Sequence, residues 1–169
     1  SVGNILMYFI IALAIIVFSV LTVTSRKILR SATYLLFVLF ATAGIYFQIG
    51  YEFLGAVQIA VYAGGIMVLF VFSILLTSRP GNNSEPLSTH KKWLGLSAAV
   101  AGVALCGYSL LSYGAFVGRQ MSSNLNVDIQ RIGEALLSTD KWGYLLPFEA
   151  ISVLLLACII GGVVIARKR

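Results

Sequence analysis

Charge is what the sequence has least of: Asp, Glu, Lys and Arg make up 11% of its 169 residues, against roughly 25% in an ordinary soluble domain. A soluble fold of this size could not hide the 59% of residues that are apolar. There is one histidine, His90, in a polar stretch, and there are two cysteines, Cys106 and Cys158, each inside an apolar run. No Cys/His metal cluster or disulfide can be assembled from them, and the cysteines read as small buried hydrophobes. Also missing are a glycine-rich phosphate loop, a Cys-x-x-Cys pair, histidines at ligand spacing and any nucleophile-base arrangement. Redox and hydrolytic chemistry therefore have no place in this chain. Intramembrane charges are too few for a self-sufficient ion pump, and no internal repeat or low-complexity tract is visible.

What the sequence does have is long apolar runs, with a mean hydropathy of +0.95. Five of them, at about 4–24, 31–48, 53–77, 93–117 and 144–166, are long enough as helices for a hydrocarbon core about 30 Å thick. They predict an all-α integral membrane protein, a single domain over 1–169 that crosses the bilayer five times. The first run lacks a basic flank and continues too far for a signal-peptide core, so it counts as a span. The connection Ile49-Gly50-Tyr51-Glu52 is so short that the second and third helices must be antiparallel neighbours. Ser78-Arg79-Pro80-Gly81 is a strong breaker after the third run. Apolar spacing over Asp128 to Leu137 predicts a short surface helix in the polar segment before the fifth span. Tyr51, Trp93, Tyr113, Trp142 and Tyr144 flank the runs as interfacial aromatics do.

The net charge of +6 sits in short blocks between apolar runs, so it reports topology rather than a nucleic-acid surface. Arg26, Lys27, Arg30, Arg79, Lys91, Lys92, Arg167, Lys168 and Arg169 fall on one side. Only Arg119, Arg131 and Lys141 fall on the other. This bias places the C-terminus in the cytoplasm and the N-terminus outside, and it makes the sequon Asn82-Asn83-Ser84 an internal, accidental one.

The third run is the unusual one. At helical spacing Tyr51, Gly55, Gln58, Tyr62 and Gly65 share a stripe of small and polar groups suited to close contact with another helix. Adjacent Gly64 and Gly65 cost about 2 kcal/mol of helix propensity relative to two alanines and ease a departure from regular bonding, such as a kink or π-bulge. A helix so weakened could adopt two packings. Two carboxyls lie near helix starts, Glu52 before the third run and Glu149 after Pro147 in the fifth, with Ser152 one turn deeper. Each can be an interfacial charge or can face a hydrated path and exchange protons, Glu149 being the stronger candidate. In the fourth run Gly95, Ala99, Gly102, Cys106 and Ser109 form a packing seam, and Ala157, Gly161 and Gly162 do the same in the fifth.

The segment from Glu52 to Phe70, with Val61-Tyr62-Ala63-Gly64 at its centre, resembles the signature helix of the subunit J family of NADH-quinone oxidoreductase, respiratory complex I. The mitochondrial counterpart is NADH dehydrogenase subunit 6. The fifth run, Leu145 to Val164, is similar to that family's closing segment. The resemblance covers the chain, most closely in these two helices. It implies a membrane-arm subunit near the quinone-reacting end, packed against subunits of the H, A, K and N types and against lipid, in the inner (plasma) membrane of a bacterium rather than a mitochondrial or thylakoid membrane. FMN, iron-sulfur clusters and quinone would belong to partner subunits. It further implies that the third helix switches between α and π-bulged forms to open or close a proton route. Tyr62 would be the bulge residue, Gly64 and Gly65 the source of looseness, and Val68, Leu69 and Phe70 an apolar plug. Gly65 departs from the pattern, standing where many members have alanine. The alternative is a purely structural or accessory membrane subunit of an antiporter-type complex.

Overall fold

The computed structural model describes residues 2–77, 85–86, 88–117 and 128–168. The breaker at 78–81, the sequon at 82–84, Arg119 and Arg169 lie outside the described residues. The elements among the described residues are all helical: α1 (Val2–Thr24), α2 (Ile28–Gln48), α3 (Glu52–Val57), a π segment (Gln58–Ile66), α4 (Met67–Thr77), α5 (Thr89–Val117), α6 (Ile129–Leu137) and α7 (Leu145–Ala166). Five stretches are long and apolar enough to cross a membrane, the third being the composite Glu52–Thr77. The span starts differ from the sequence reading where helices run on past the apolar stretch. Thus α5 begins at Thr89 and takes in His90, Lys91 and Lys92, and α2 begins at Ile28 and takes in Arg30. Polar side chains cost nothing in a helical turn that stands in the headgroup region.

The chain forms two compact units, residues 1–125 and 126–169. In the first, α1 and α2 form the broadest helix pair. It is held at one end by the Ser31 hydroxyl donating to the Thr22 carbonyl and at the other by the Gln48 side-chain amide donating to the Asn4 carbonyl. Between these ties the Phe18 ring lies 5.1 Å from that of Phe37 and 6.2 Å from that of Tyr34. The chain then reverses through Gly50, whose φ of +83° belongs to the left-handed region that ends helices and favours glycine. The amide of Tyr51 donates to the Tyr46 carbonyl at 2.9 Å, and the third span folds back antiparallel on α2. At this close approach a Cβ on Gly55 would stand 2.8 Å from the Phe47 ring, so the glycine makes room for the aromatic.

Ala32, Met67 and Ile74 make the small core, with Leu35, Leu36, Leu39 and Val71 packed against it. No described residue of α5 belongs to it. Among the described residues of its unit nothing covers its seam of small residues: a Cβ on Gly95 or Gly102 would find open space, as it would, in the second unit, on Gly161 or Gly162 of α7. Cys106 and Cys158 are both exposed rather than buried, because no described residue of its own unit covers the helix face that carries each.

In the second unit α6 packs against α7. The link between them is tight. The Gly143 amide donates to the Asp140 carbonyl at 2.8 Å and the Tyr144 amide to Ala135 at 3.0 Å, while a Cβ on Gly143 would collide with the Ser138 carbonyl. Pro147 sits in the first turn of α7, where its missing N–H is one that has no intrahelical acceptor anyway.

Candidate functional site

The nine residues Gln58–Ile66 are wound as a π-helix between two stretches of α-helix. π-winding is rare and occurs mostly as single-turn bulges at functional sites, so a segment of this length in mid-span stands out. Nothing at its borders is strained: Val57, Gln58 and Met67 all have right-handed α dihedrals. What changes is the bonding register, with the Met67 amide donating to Tyr62, five residues back. Gly64 and Gly65 face the carbonyls that this register brings close. A Cβ on Gly64 would lie 3.2 Å from the Ile59 oxygen and one on Gly65 3.6 Å from that of Ala60. The first is a tight contact and the second an ordinary one, so Gly64 is the more sterically constrained of the pair.

The π segment also resets which face of the span is covered. Gly55 and Gln58 are buried, and beyond them Ala63, Met67 and Ile74. An α-helix would carry the stripe from Gln58 on to Tyr62 and Gly65. The extra residue in the π turn moves it to Ala63 instead. Tyr62 is consequently 47% exposed, and Gly65 is only half-buried. The stripe read from the sequence therefore holds through Gln58 and fails beyond it, because it assumes one helical period throughout. Ala63 and Met67 are the residues sequence reasoning missed, although the glycine pair and the resemblance around Tyr62 both signalled that the period changes here.

Val68, Leu69 and Phe70 follow in the first turn of α4, all exposed on the chain by itself. Val68 is also one wall of an apolar groove of about 270 Å³ between α2 and α4, lined by Leu36, Met67, Val71, Phe72 and Leu75 as well. Tyr62, Gly64, Gly65 and the Val68–Phe70 triplet thus lie on one continuous stretch of backbone whose winding changes between them.

The polar groups of the spans are fewer. The Gln58 side chain is buried at 9% exposure where the π segment begins. Gln48, at the end of α2, keeps its side-chain oxygen buried without a hydrogen-bond partner among the described residues. Glu52 is the first residue of α3 and is exposed, its carboxylate in the favourable first turn. Glu149 belongs to the other unit. It lines a polar cleft of about 340 Å³ at the start of α7 with Ser138, Thr139, Asp140, Gly143, Leu145 and Leu146. The Ser152 hydroxyl donates to the Phe148 carbonyl at 2.9 Å, so its proton is used within its own helix rather than by Glu149.

Residues 18–165 match the model of a family described as NADH-ubiquinone/plastoquinone oxidoreductase chain 6. The chain is 31% identical to the chloroplastic NAD(P)H-quinone oxidoreductase subunit 6 of Physcomitrium patens, over 96% of this chain and 84% of that one. It is 30% identical to NADH-quinone oxidoreductase subunit J of Escherichia coli, over 95% and 85%. It is 27% identical to the F(420)H(2) dehydrogenase subunit J of Methanosarcina mazei, over 94% and 88%. With most of its length matched by the family model and by these relatives, and with five membrane-length helices, the chain belongs to the chain 6 or subunit J family of NADH-quinone oxidoreductases.

Proposed function

We propose that this chain is the membrane-arm subunit of a proton-translocating quinone oxidoreductase in which the π-wound middle of the third span gates a hydrated proton path. It carries no catalytic centre of its own. The observation that carries the reading is the π segment itself, which lies in the middle of the third membrane-length helix and includes Gly64 and Gly65. Coupling needs a two-state element that both sites can bias, and conversion between π and α winding is such an element. Rewinding to α while the first half stays seated on α2 turns Tyr62 from its exposed position toward α2 and rotates Val68, Leu69 and Phe70 together. A phenol and three large apolar groups moving as one body can admit or interrupt a file of water. Glu52 and Glu149 are the carboxyls available to exchange protons with such a path.

The relatives' names bear on what the subunit does not touch. They give different donors, NAD(P)H, NADH and F(420)H(2), as expected of a subunit remote from the donor. FMN, iron-sulfur clusters and quinone are accordingly assigned to partner subunits. The direct neighbours are assigned to the H, A, K and N types, and the membrane to a bacterial plasma membrane with the basic loops inside.

The test is Gly65→Val in the assembled complex. A β-branched residue adds methyl groups next to the preceding turn, beyond the single carbon for which the present winding has space. Protons moved per electron should fall while electron transfer to a soluble acceptor that bypasses the quinone stays at the parent rate. Undiminished proton movement in that variant overturns the gate and leaves a scaffold. Purification in mild detergent checks the assignment separately: quinone-reductase partners should accompany the chain, whereas antiporter subunits alone would make it an accessory of a different complex.

A further inference from the structure

We infer that α6 is an interfacial anchor, a helix that lies in the membrane surface with its apolar face in the lipid headgroup and acyl boundary, and that Trp142 is part of the same insertion. The apolar positions Ile129, Ile132, Leu136 and Leu137 recur at helical spacing with Gly133 among them, which gathers them on one side. Gln130, Arg131 and Glu134 fall on the other side, where the Gln130 amide donates to the Glu134 carboxylate at 3.2 Å. Packing against α7 uses only part of the apolar side. Ile132 and Gly133 are half-buried, while Ile129 remains 61% exposed and Leu137 59%.

What covers the remainder follows from where the helix is tied. The Tyr144 amide donates to the carbonyl of Ala135 in the last turn of α6, and Gly143 closes onto Asp140. Leu145, the next residue, opens the fifth membrane span. One end of α6 is therefore hydrogen-bonded to the point at which the chain passes into lipid, and the helix cannot stand far from that level. Between the two helices project Trp142, 86% exposed, and Tyr144, 58% exposed, residues whose amphipathic rings favour the headgroup region. An exposed apolar helix edge continuous with a span, at the height of an aromatic belt, meets lipid. Its polar side carries one Arg and one Glu, and Asp128 adjoins it, so there is no basic surplus to attract anionic headgroups. Insertion depends on apolar area and should be indifferent to lipid charge.

The experiment places a photoreactive benzoylphenylalanine at Leu137, at Ile129 and, as control, at Arg131 of the chain within its native complex. Illumination in membranes is followed by mass analysis of the chain. Phospholipid-mass adducts at Leu137 and Ile129, absent at Arg131, are expected. Cross-links to another subunit at the two apolar positions would show that a protein covers the face, and an absence of adducts at all three would show that the face stands in water; either overturns the anchor. A second readout needs no cross-link. In the full chain carrying Trp93→Phe, reconstituted in phosphatidylcholine vesicles, bromine placed near the headgroup end of the acyl chains should quench Trp142 more than bromine at mid-bilayer. The quenching should be the same with and without anionic lipid. Equal quenching by both brominated lipids, or quenching only when anionic lipid is present, overturns it too.

Discussion

Single glycines set the tight places of this chain, each for its own reason. At Gly50 the constraint is conformational, since φ is +83° and a residue with a Cβ pays about 1–2 kcal/mol to stand there. Gly50→Ala is therefore expected to lower resistance to unfolding in detergent by about that amount, read as a shift of the denaturation midpoint. It should do so without altering neighbouring contacts, since a Cβ there meets nothing. At Gly143 the constraint is steric: a side chain would strike the Ser138 carbonyl. Gly143→Ala should open the α6–α7 link, which protease cleavage between Leu137 and Leu145 would report as faster than in the parent. Neither role could be read from the sequence, where Gly50 is one residue of a short connection and Gly143 one of a polar segment. Positive φ and backbone collisions belong to three-dimensional paths.

Among the elements, the spans were legible, and so was the place where the third leaves α winding, since the π segment Gln58–Ile66 contains Tyr62, Gly64 and Gly65; its length and the register beyond it were not. Run length and hydropathy locate five membrane helices because a bilayer imposes a minimum apolar length, and the brevity of the 49–51 link forces α2 and the third span together. Periodicity reading, however, imposes one period on a whole helix, so it extends the stripe from Gln58 to Tyr62, whereas the π segment buries Ala63 and Met67. The adjacent glycines marked where the rule breaks but not by how much. Met67 sits against α2 immediately after the change of winding, in the core with Ala32 and Ile74. In lipid the transfer part of a large-to-small change largely vanishes, because an acyl chain is as apolar as the helix interface. The lost packing contacts remain. Met67→Ala should thus cost on the order of 1 kcal/mol, less than the same change in a soluble core. It should also alter the balance of windings, which isotope-edited infrared bands of carbonyl-labelled Tyr62 can follow: an unchanged band would separate the winding from its packing against α2.

At the scale of the whole molecule, few of the described residues are buried. The buried apolar residues among those described are Ala32, Ala43, Ala63, Met67 and Ile74, and no large side chain is fully enclosed. Among the described residues α7 buries none, and neither does α5 over Thr89–Gly114. Helices in membranes associate through close packing and polar ties rather than by exclusion of water, and among the described residues each of these two supplies few such contacts within its own unit. The isolated protein in detergent is expected to unfold at lower temperature than the same chain held in its complex, since partners that bind only the folded form stabilise it. Thermal melting of the two preparations in one detergent checks this, and equal midpoints would mean that partner contacts contribute nothing.

The offset in the third span has a consequence for the length of the gene product. Gly55 and Gln58, and further on Ala63, Met67 and Ile74, share one buried face only because the wide turns absorb one residue too many for an α-helix. Removing Ala60 would bring the two halves into a single period with both still seated. A protein one residue shorter should therefore fold and assemble as well as its parent, frozen in the narrow winding, whereas removing a residue from α4 would twist Ile74 away from its place. Nature's spare amino acid would then be the moving part.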